Sequence, residues 1–147
     1  MSLIATKTTW QNYPIENPKR IDIELMFTDK QFSKLSKGLI PEQMEDKWFI
    51  YCENNWLYFH RSWTGFGIYK AKLTKKKNVY TIKYFWVERN PEKYSNEDDN
   101  TDVENISFLI ARGILGVDVN QIYFNENINS ETDAIRGWSN FGNMLFT

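Results

Sequence analysis

The amino-acid sequence predicts an α+β domain: an antiparallel β-meander sheet of about five or six strands, one main helix (about 102–116) packed on one face, and a short helix near 29–38. Three observations predict it. Between Asp46 and Glu88, four runs rich in aromatic and β-branched residues are separated by turn-forming clusters, the pattern of successive hairpins. Beyond them, Val103, Ile106, Phe108, Leu109, Ile110, Ile114 and Leu115 make the most apolar helical segment. At 147 residues, with no repeat, low-complexity stretch or linker, the chain forms a single domain, 1–147, large enough to bury a core.

The elements follow in order. Residues 1–20 carry Pro14 and Pro18 and read mostly as loop, with Leu3-Ile4-Ala5 suited to an edge strand. Ile21–Phe27 alternates apolar and acidic residues and then turns apolar, as a strand covered on one face does. Thr28 or Asp29 caps a short helix bearing Phe32, Leu35 and Leu39, which Gly38 and Pro41 close.

The meander comes next. Asn54-Asn55 is a two-residue turn, because asparagine tolerates positive φ; it pairs Cys52 with Leu57 and Trp48 with Arg61. Lys75–Asn78 read as a four-residue loop pairs Leu73 with Tyr80 and Lys70 with Lys83. An even Ser62–Gly65 connection then gathers Phe49, Tyr51, Trp56, Tyr58, His60, Tyr69, Ala71, Leu73, Tyr80, Ile82, Tyr84 and Trp86 on a core-like face. The opposite face, with Trp48, Ile50, Leu57, Phe59, Arg61, Phe85, Lys70, Lys72 and Lys83, is apolar at one end and cationic at the other.

After the acidic loop opened by Asn90-Pro91, Thr101–Glu104 has the form of a capping box that starts the main helix. Gly113 offers close packing and Gly116 suits the helix end. Ile122-Tyr123-Phe124 reads as a last strand and Ser130 as the cap of a short turn. Trp138, Phe141, Met144, Leu145 and Phe146 tie down the tail or meet a partner.

Composition narrows the classes. One cysteine, Cys52, excludes an internal disulfide, and neither a signal sequence nor a membrane-length apolar run is present, so the expected location is the cytoplasm. The net charge of −1 argues against nucleic acid. Its distribution is uneven: seven basic residues and no acid lie between Arg61 and Lys83, and seven acids between Glu88 and Glu104. Such asymmetry suits a small anion, or a homodimer made by unlike patches.

The candidate chemistry sits around the middle turn. His60, the only histidine, can donate a proton or hydrogen-bond a phosphate. Arg61 offers a planar fork to an anion, Trp63 a stacking face, and Thr64 with Gly65 a hydroxyl and bare backbone amides. Lys70 opposite Lys83 is a like-charge pair that an anion between them would relieve. Ser62 near His60 lacks the surrounding sequence of a catalytic serine. One histidine and one cysteine are too few for a zinc or iron site, and 98–102 lacks the glycine and glutamate of a calcium loop. No metal and no cofactor are expected.

Lys47-Trp48-Phe49-Ile50-Tyr51, then the run Trp56 to Gly65 (W-L-Y-F-H-R-S-W-T-G), then Ile68-Tyr69, resembles a small bacterial module associated with ADP-ribosylglycohydrolase-type proteins. The likeness spans about 25 residues. The acidic metal-binding motifs of those hydrolases are not recognisable here, so the resemblance implies a context of ADP-ribose or NAD-derived signals and no hydrolase activity. The expected function is therefore non-catalytic binding of a small anionic ligand, a nucleotide or ADP-ribose-like molecule, by His60, Arg61, Trp63, Thr64, Lys70 and Lys83. The alternatives are a hydrolase or transferase with His60 as acid/base, and a protein-interaction or immunity-type domain.

Overall fold

A computed structural model describes residues 4–123. Five antiparallel strands form one sheet: β1 (Pro18–Thr28), β2 (Trp48–Glu53), β3 (Trp56–Arg61), β4 (Gly67–Lys76) and β5 (Val79–Glu88), in the order β1-β5-β4-β3-β2. Strands β2 to β5 are the expected meander, and β1 closes it by pairing with β5. Helix α1 (Asp29–Leu35) follows β1; helix α2 (Asp99–Phe108) continues into a π-helical segment, Leu109–Leu115, and a 3₁₀ turn at Val119–Gln121. Among the described residues, no helix is long and apolar enough to cross a membrane. The expected turn after Ser130 and the aromatic tail from Trp138 to Phe146 lie outside the described residues.

Local chemistry explains the ends of these elements. Thr28 caps α1 through a reciprocal pair of hydrogen bonds with Gln31, and the Phe32 ring lies flat on Tyr80 at 3.9 Å. Asn54 and Asn55 both adopt positive φ, which closes the β2–β3 hairpin in the expected register, from Cys52–Leu57 to Trp48–Arg61. Helix α2 begins earlier than expected. Its cap is Asp98, which accepts a bond from the Asn100 amide, and Thr101 donates to Asp98 instead of capping. The left-handed Gly116 ends the π-helical segment, as its position suggests. Leu3 lies outside the described residues, Ile4 and Ala5 form no strand, and Ile122–Tyr123 contribute only a bridge from Tyr123 to Leu25.

The second half of the meander departs from the expected register. The β4–β5 turn has two residues, Lys77 and Asn78, because Lys77 takes φ 58° and lets Lys76 pair with Val79. Further along, β5 contains one residue more than β4 between Leu73–Ile82 and Ala71–Phe85. Lys70 therefore lies opposite Trp86, and the expected Lys70–Lys83 pair does not form. A second irregularity separates Phe59–Tyr69 from His60–Gly67, so the Ser62–Gly65 connection is not even. Each slip of one residue exchanges the faces. Tyr69, Ala71, Leu73, Ile82 and Phe85 join Ile50, Leu57 and Phe59 in the core under α2, with Ile106, Ile110, Ala111 and Leu115. Lys70 and Lys72 share the opposite face with Trp56, Tyr58, Tyr84 and Trp86. Phe108, expected in the core, is largely exposed, and Gly113 touches nothing that requires its size.

Two ties hold the layers. The Asp102 carboxylate, fully buried, accepts from Tyr69 Oη (2.8 Å), Tyr94 Oη (2.7 Å) and the Asn96 amide (3.0 Å), and pairs with the Arg89 guanidinium at 2.5 Å. Burial works against the charge of Arg89, but Asp99 and Asp102 together raise its pKa above the ordinary value. The buried Glu88 carboxylate accepts the backbone amides of Glu16 and Asn17 at 2.7 and 2.8 Å and so anchors the N-terminal strap, residues 4–17.

Two expectations follow for urea unfolding. Gly38 has φ +68°, and a Cβ there would meet the Ile50 carbonyl oxygen at 2.1 Å, so Gly38→Ala should cost about 2–4 kcal/mol, while Gly113→Ala should be neutral or gain about 0.5 kcal/mol. Asp102→Ala strands a guanidinium and two phenols and should cost about 3–5 kcal/mol; Asp99→Ala, at the half-exposed end of the same cluster, should cost under about 1 kcal/mol.

Candidate functional site

Because α2 and the π-helical segment cover one face of the sheet, the other face is left to the N-terminal strap alone. The strap runs beside the Ser62–Gly67 connection: Tyr13 exchanges backbone bonds with Gly65 (2.8 Å) and Gly67 (2.9 Å), and Trp10 Nε1 donates to the Ser62 carbonyl at 2.7 Å. A Cβ on Gly67 would sit 2.8 Å from the Tyr13 carbonyl oxygen, so the close approach requires glycine. Between the strap and the exposed strands lies a groove of about 700 Å³. Asn12, Pro14 and Ile15 form its strap side, and Tyr58, Trp56, Tyr84 and Trp86 its sheet side, with Lys7 and Lys70 at its rim.

These aromatic residues stand on the open face because of the two register slips described above, and each is only half-buried. Tyr51 lies under them, with its ring stacked on Tyr58 at 4.7 Å and on His60 at 5.8 Å; burial pushes its phenol up to about 12. Trp56 and Trp86 both approach Tyr84 edge-on, at 6.4 and 6.1 Å. Lys70 and Lys72 Nζ sit 5.1 and 5.3 Å from the Trp56 ring centre, and neither forms an ion pair among the described residues.

His60 belongs to the floor of this groove and is 4% exposed. Its Nδ1 lies 3.0 Å from the Gly65 carbonyl oxygen, which can only accept, so Nδ1 carries the proton and Nε2 the free lone pair. Nε2 is buried with no hydrogen-bond partner. Burial lowers the His60 pKa, against the opposing effect of the Gly65 bond, so the ring is neutral at neutral pH.

The six expected site residues separate into three places. His60 and Lys70 meet in the groove. Arg61, Trp63 and Thr64 line a shallower depression of about 420 Å³ with Lys47 and Lys93. There the indole is 66% exposed, as its place in the turn suggests, but its N–H already donates to the Met44 carbonyl at 2.9 Å. The Arg61 guanidinium lies over Trp48 at 4.5 Å, Thr64 Oγ1 accepts from the Phe66 amide, and Lys93 pairs with Glu16 at 2.8 Å. Lys83 stands apart, in a depression it shares with Asp22, Glu24 and Asp99, where an anion would meet three carboxylates. Ser62 is buried with its hydroxyl donating to the Asp46 carbonyl at 2.7 Å, and burial raises the Cys52 thiol pKa, so neither is poised as a nucleophile. Among the described residues, no three metal-ligating side chains converge.

Sequence reasoning missed Trp56, Tyr58, Tyr84 and Trp86 as site residues because it assigned them to the core. Their interleaving with Lys70 and Lys72 was the available signal. Comparison with known protein families, curated proteins and solved structures returned no match, so the likeness of residues 47–69 to the ADP-ribose-associated module rests on those residues alone.

The depressed His60 pKa has a sign that can be checked. Between 6.5, the ordinary imidazole value, and its lower folded value, the unfolded chain binds a proton that the folded chain does not. The stability contribution of His60 is complete above pH 6.5 and is lost as pH falls through that window. Urea midpoints measured across it should decline for the native protein and stay flatter for His60→Gln.

Proposed function

We propose that this chain binds, without catalysis, a small anionic ligand that carries a planar ring, a nucleotide or ADP-ribose-like molecule, in the groove between the strap and the open sheet face. The observation that carries the reading is the meeting of four half-buried aromatic rings, unpaired lysine and the orphaned His60 Nε2 in one groove of about 700 Å³. That volume lies within the range of small-ligand sites. Trp56, Tyr84 and Trp86 supply faces and edges for a base, and Lys70 with Lys7 supplies charge for a phosphate. His60 Nε2 supplies an acceptor for an N–H or O–H donor. The absence of a positioned nucleophile at Ser62 or Cys52 supports binding over turnover. The likeness to an ADP-ribose-associated module adds its context.

The site is thereby moved from the outer side of the Arg61–Thr64 turn to its inner side. Arg61 and Trp63 become bystanders whose polar groups are already engaged within the chain. Titration with AMP and ADP-ribose, followed by tryptophan fluorescence and thermal shift, should show saturable binding. Trp56→Ala and Lys70→Ala should each weaken it about 10-fold or more with the apo melting temperature little changed, and Arg61→Ala should leave affinity intact. Equal loss in Arg61→Ala and none in Trp56→Ala would place the site elsewhere.

A further inference from the structure

The groove is one end of a longer surface. Along β4, alternate side chains face the same side, so Lys70, Lys72 and Lys76 share the open face and rise in a line from the groove toward the β4–β5 turn. Lys75, one step out of phase, has its Nζ 5.6 Å from Tyr80 on the covered side. Lys70 and Lys72 flank Trp56, and Arg20, on β1 opposite Trp86, lays its guanidinium over Tyr84 at 4.1 Å. Cations and half-open rings therefore alternate across β3, β4, β5 and β1. From Lys70 to Lys76 the strand extends by about 20 Å, well beyond the reach of a single nucleotide.

We infer that this open face is a platform for single-stranded nucleic acid, with the groove holding one nucleotide and the lysine row holding the phosphates that follow. The inference rests on the small-ligand reading of the groove and extends it to a polymer. Stacking rings with backbone-tracking cations are what a sequence-tolerant single-strand site requires. Lys70, Lys72 and Lys76 have no acidic partner among the described residues. Asp22, on β1, is engaged by Arg20 at 3.1 Å, which leaves Glu53 as the acid at the groove. The acids that make the chain slightly negative overall are elsewhere: Glu88 and Asp102 are buried and saturated, and Asp98 and Asp99 serve α2 and its ion pairs. Net charge thus describes the whole chain and not this face.

The test compares AMP with adenylate oligomers of about 4 and about 12 residues, as RNA and as DNA, by fluorescence anisotropy and tryptophan quenching at several salt concentrations. Affinity should rise about 10-fold or more from AMP to the longest oligomer, and three lysine–phosphate contacts predict a slope of log K against log salt near −2. The Lys72→Gln, Lys76→Gln double variant, altered outside the groove, should keep the AMP affinity and lower that of the oligomer toward it, with the slope reduced by about 1.4. RNA and DNA binding alike support a platform built on stacking and phosphate contacts; RNA preference supports it with a contact to the 2′-hydroxyl. Oligomers that bind no tighter than AMP, or a double variant that binds them unchanged, overturn the platform and leave the small-ligand reading standing. Failure of AMP and oligomers together overturns both.

Discussion

A single buried carboxylate fixes how the two layers of this protein meet. Asp102 gathers Tyr69 from the middle of the sheet, Tyr94 and Asn96 from the loop after β5, and Arg89 from just beyond the last strand. A charge so placed is tolerable only when every lone pair is used, and here four donors use them. The geometry admits one seating of α2 on the sheet. Once α2 is seated, Ile106, Ile110, Ala111 and Leu115 fall over Ile50, Leu57, Phe59 and Phe85, and the core is complete on that side.

The same arrangement leaves the sheet's second face without a helix. In a five-stranded sheet one layer suffices to bury the apolar side, and the other side must then be polar or be put to use. Here it carries tyrosine, tryptophan and lysine, side chains with large apolar bodies and polar tips. The strap, held by Glu88 at one end and by the backbone bonds of Tyr13 along its middle, converts part of this face from a surface into a groove. Aromatic side chains that would be a solubility burden on a flat sheet become the walls of a site.

Much of the fold was legible in order along the chain. Asn54-Asn55 specified its hairpin because two consecutive left-handed residues admit one pairing, and Thr28, Gly38 and Gly116 marked helix boundaries through their own torsional preferences. The site was legible in part. His60 and Lys70 do meet, but Arg61, Trp63 and Thr64 face a different depression and Lys83 a third. Nothing local distinguishes a four-residue lysine loop from a two-residue turn in which Lys77 accepts positive φ, and nothing local announces an extra residue in β5. Each such choice inverts a strand.

The sequence by itself determined the class of fold, the number and order of the strands, the first hairpin register and the concentration of aromatic and basic residues between Trp48 and Val87. Those properties are written in torsional preference and in hydrophobic spacing, which act between near neighbours. Only the tertiary structure decided which face each aromatic residue joins, where Asp102 finds its donors, and that His60 Nε2 is left without one. These outcomes depend on the parity of irregular pairings and on contacts between residues far apart in the chain, where one residue more or less exchanges inside for outside.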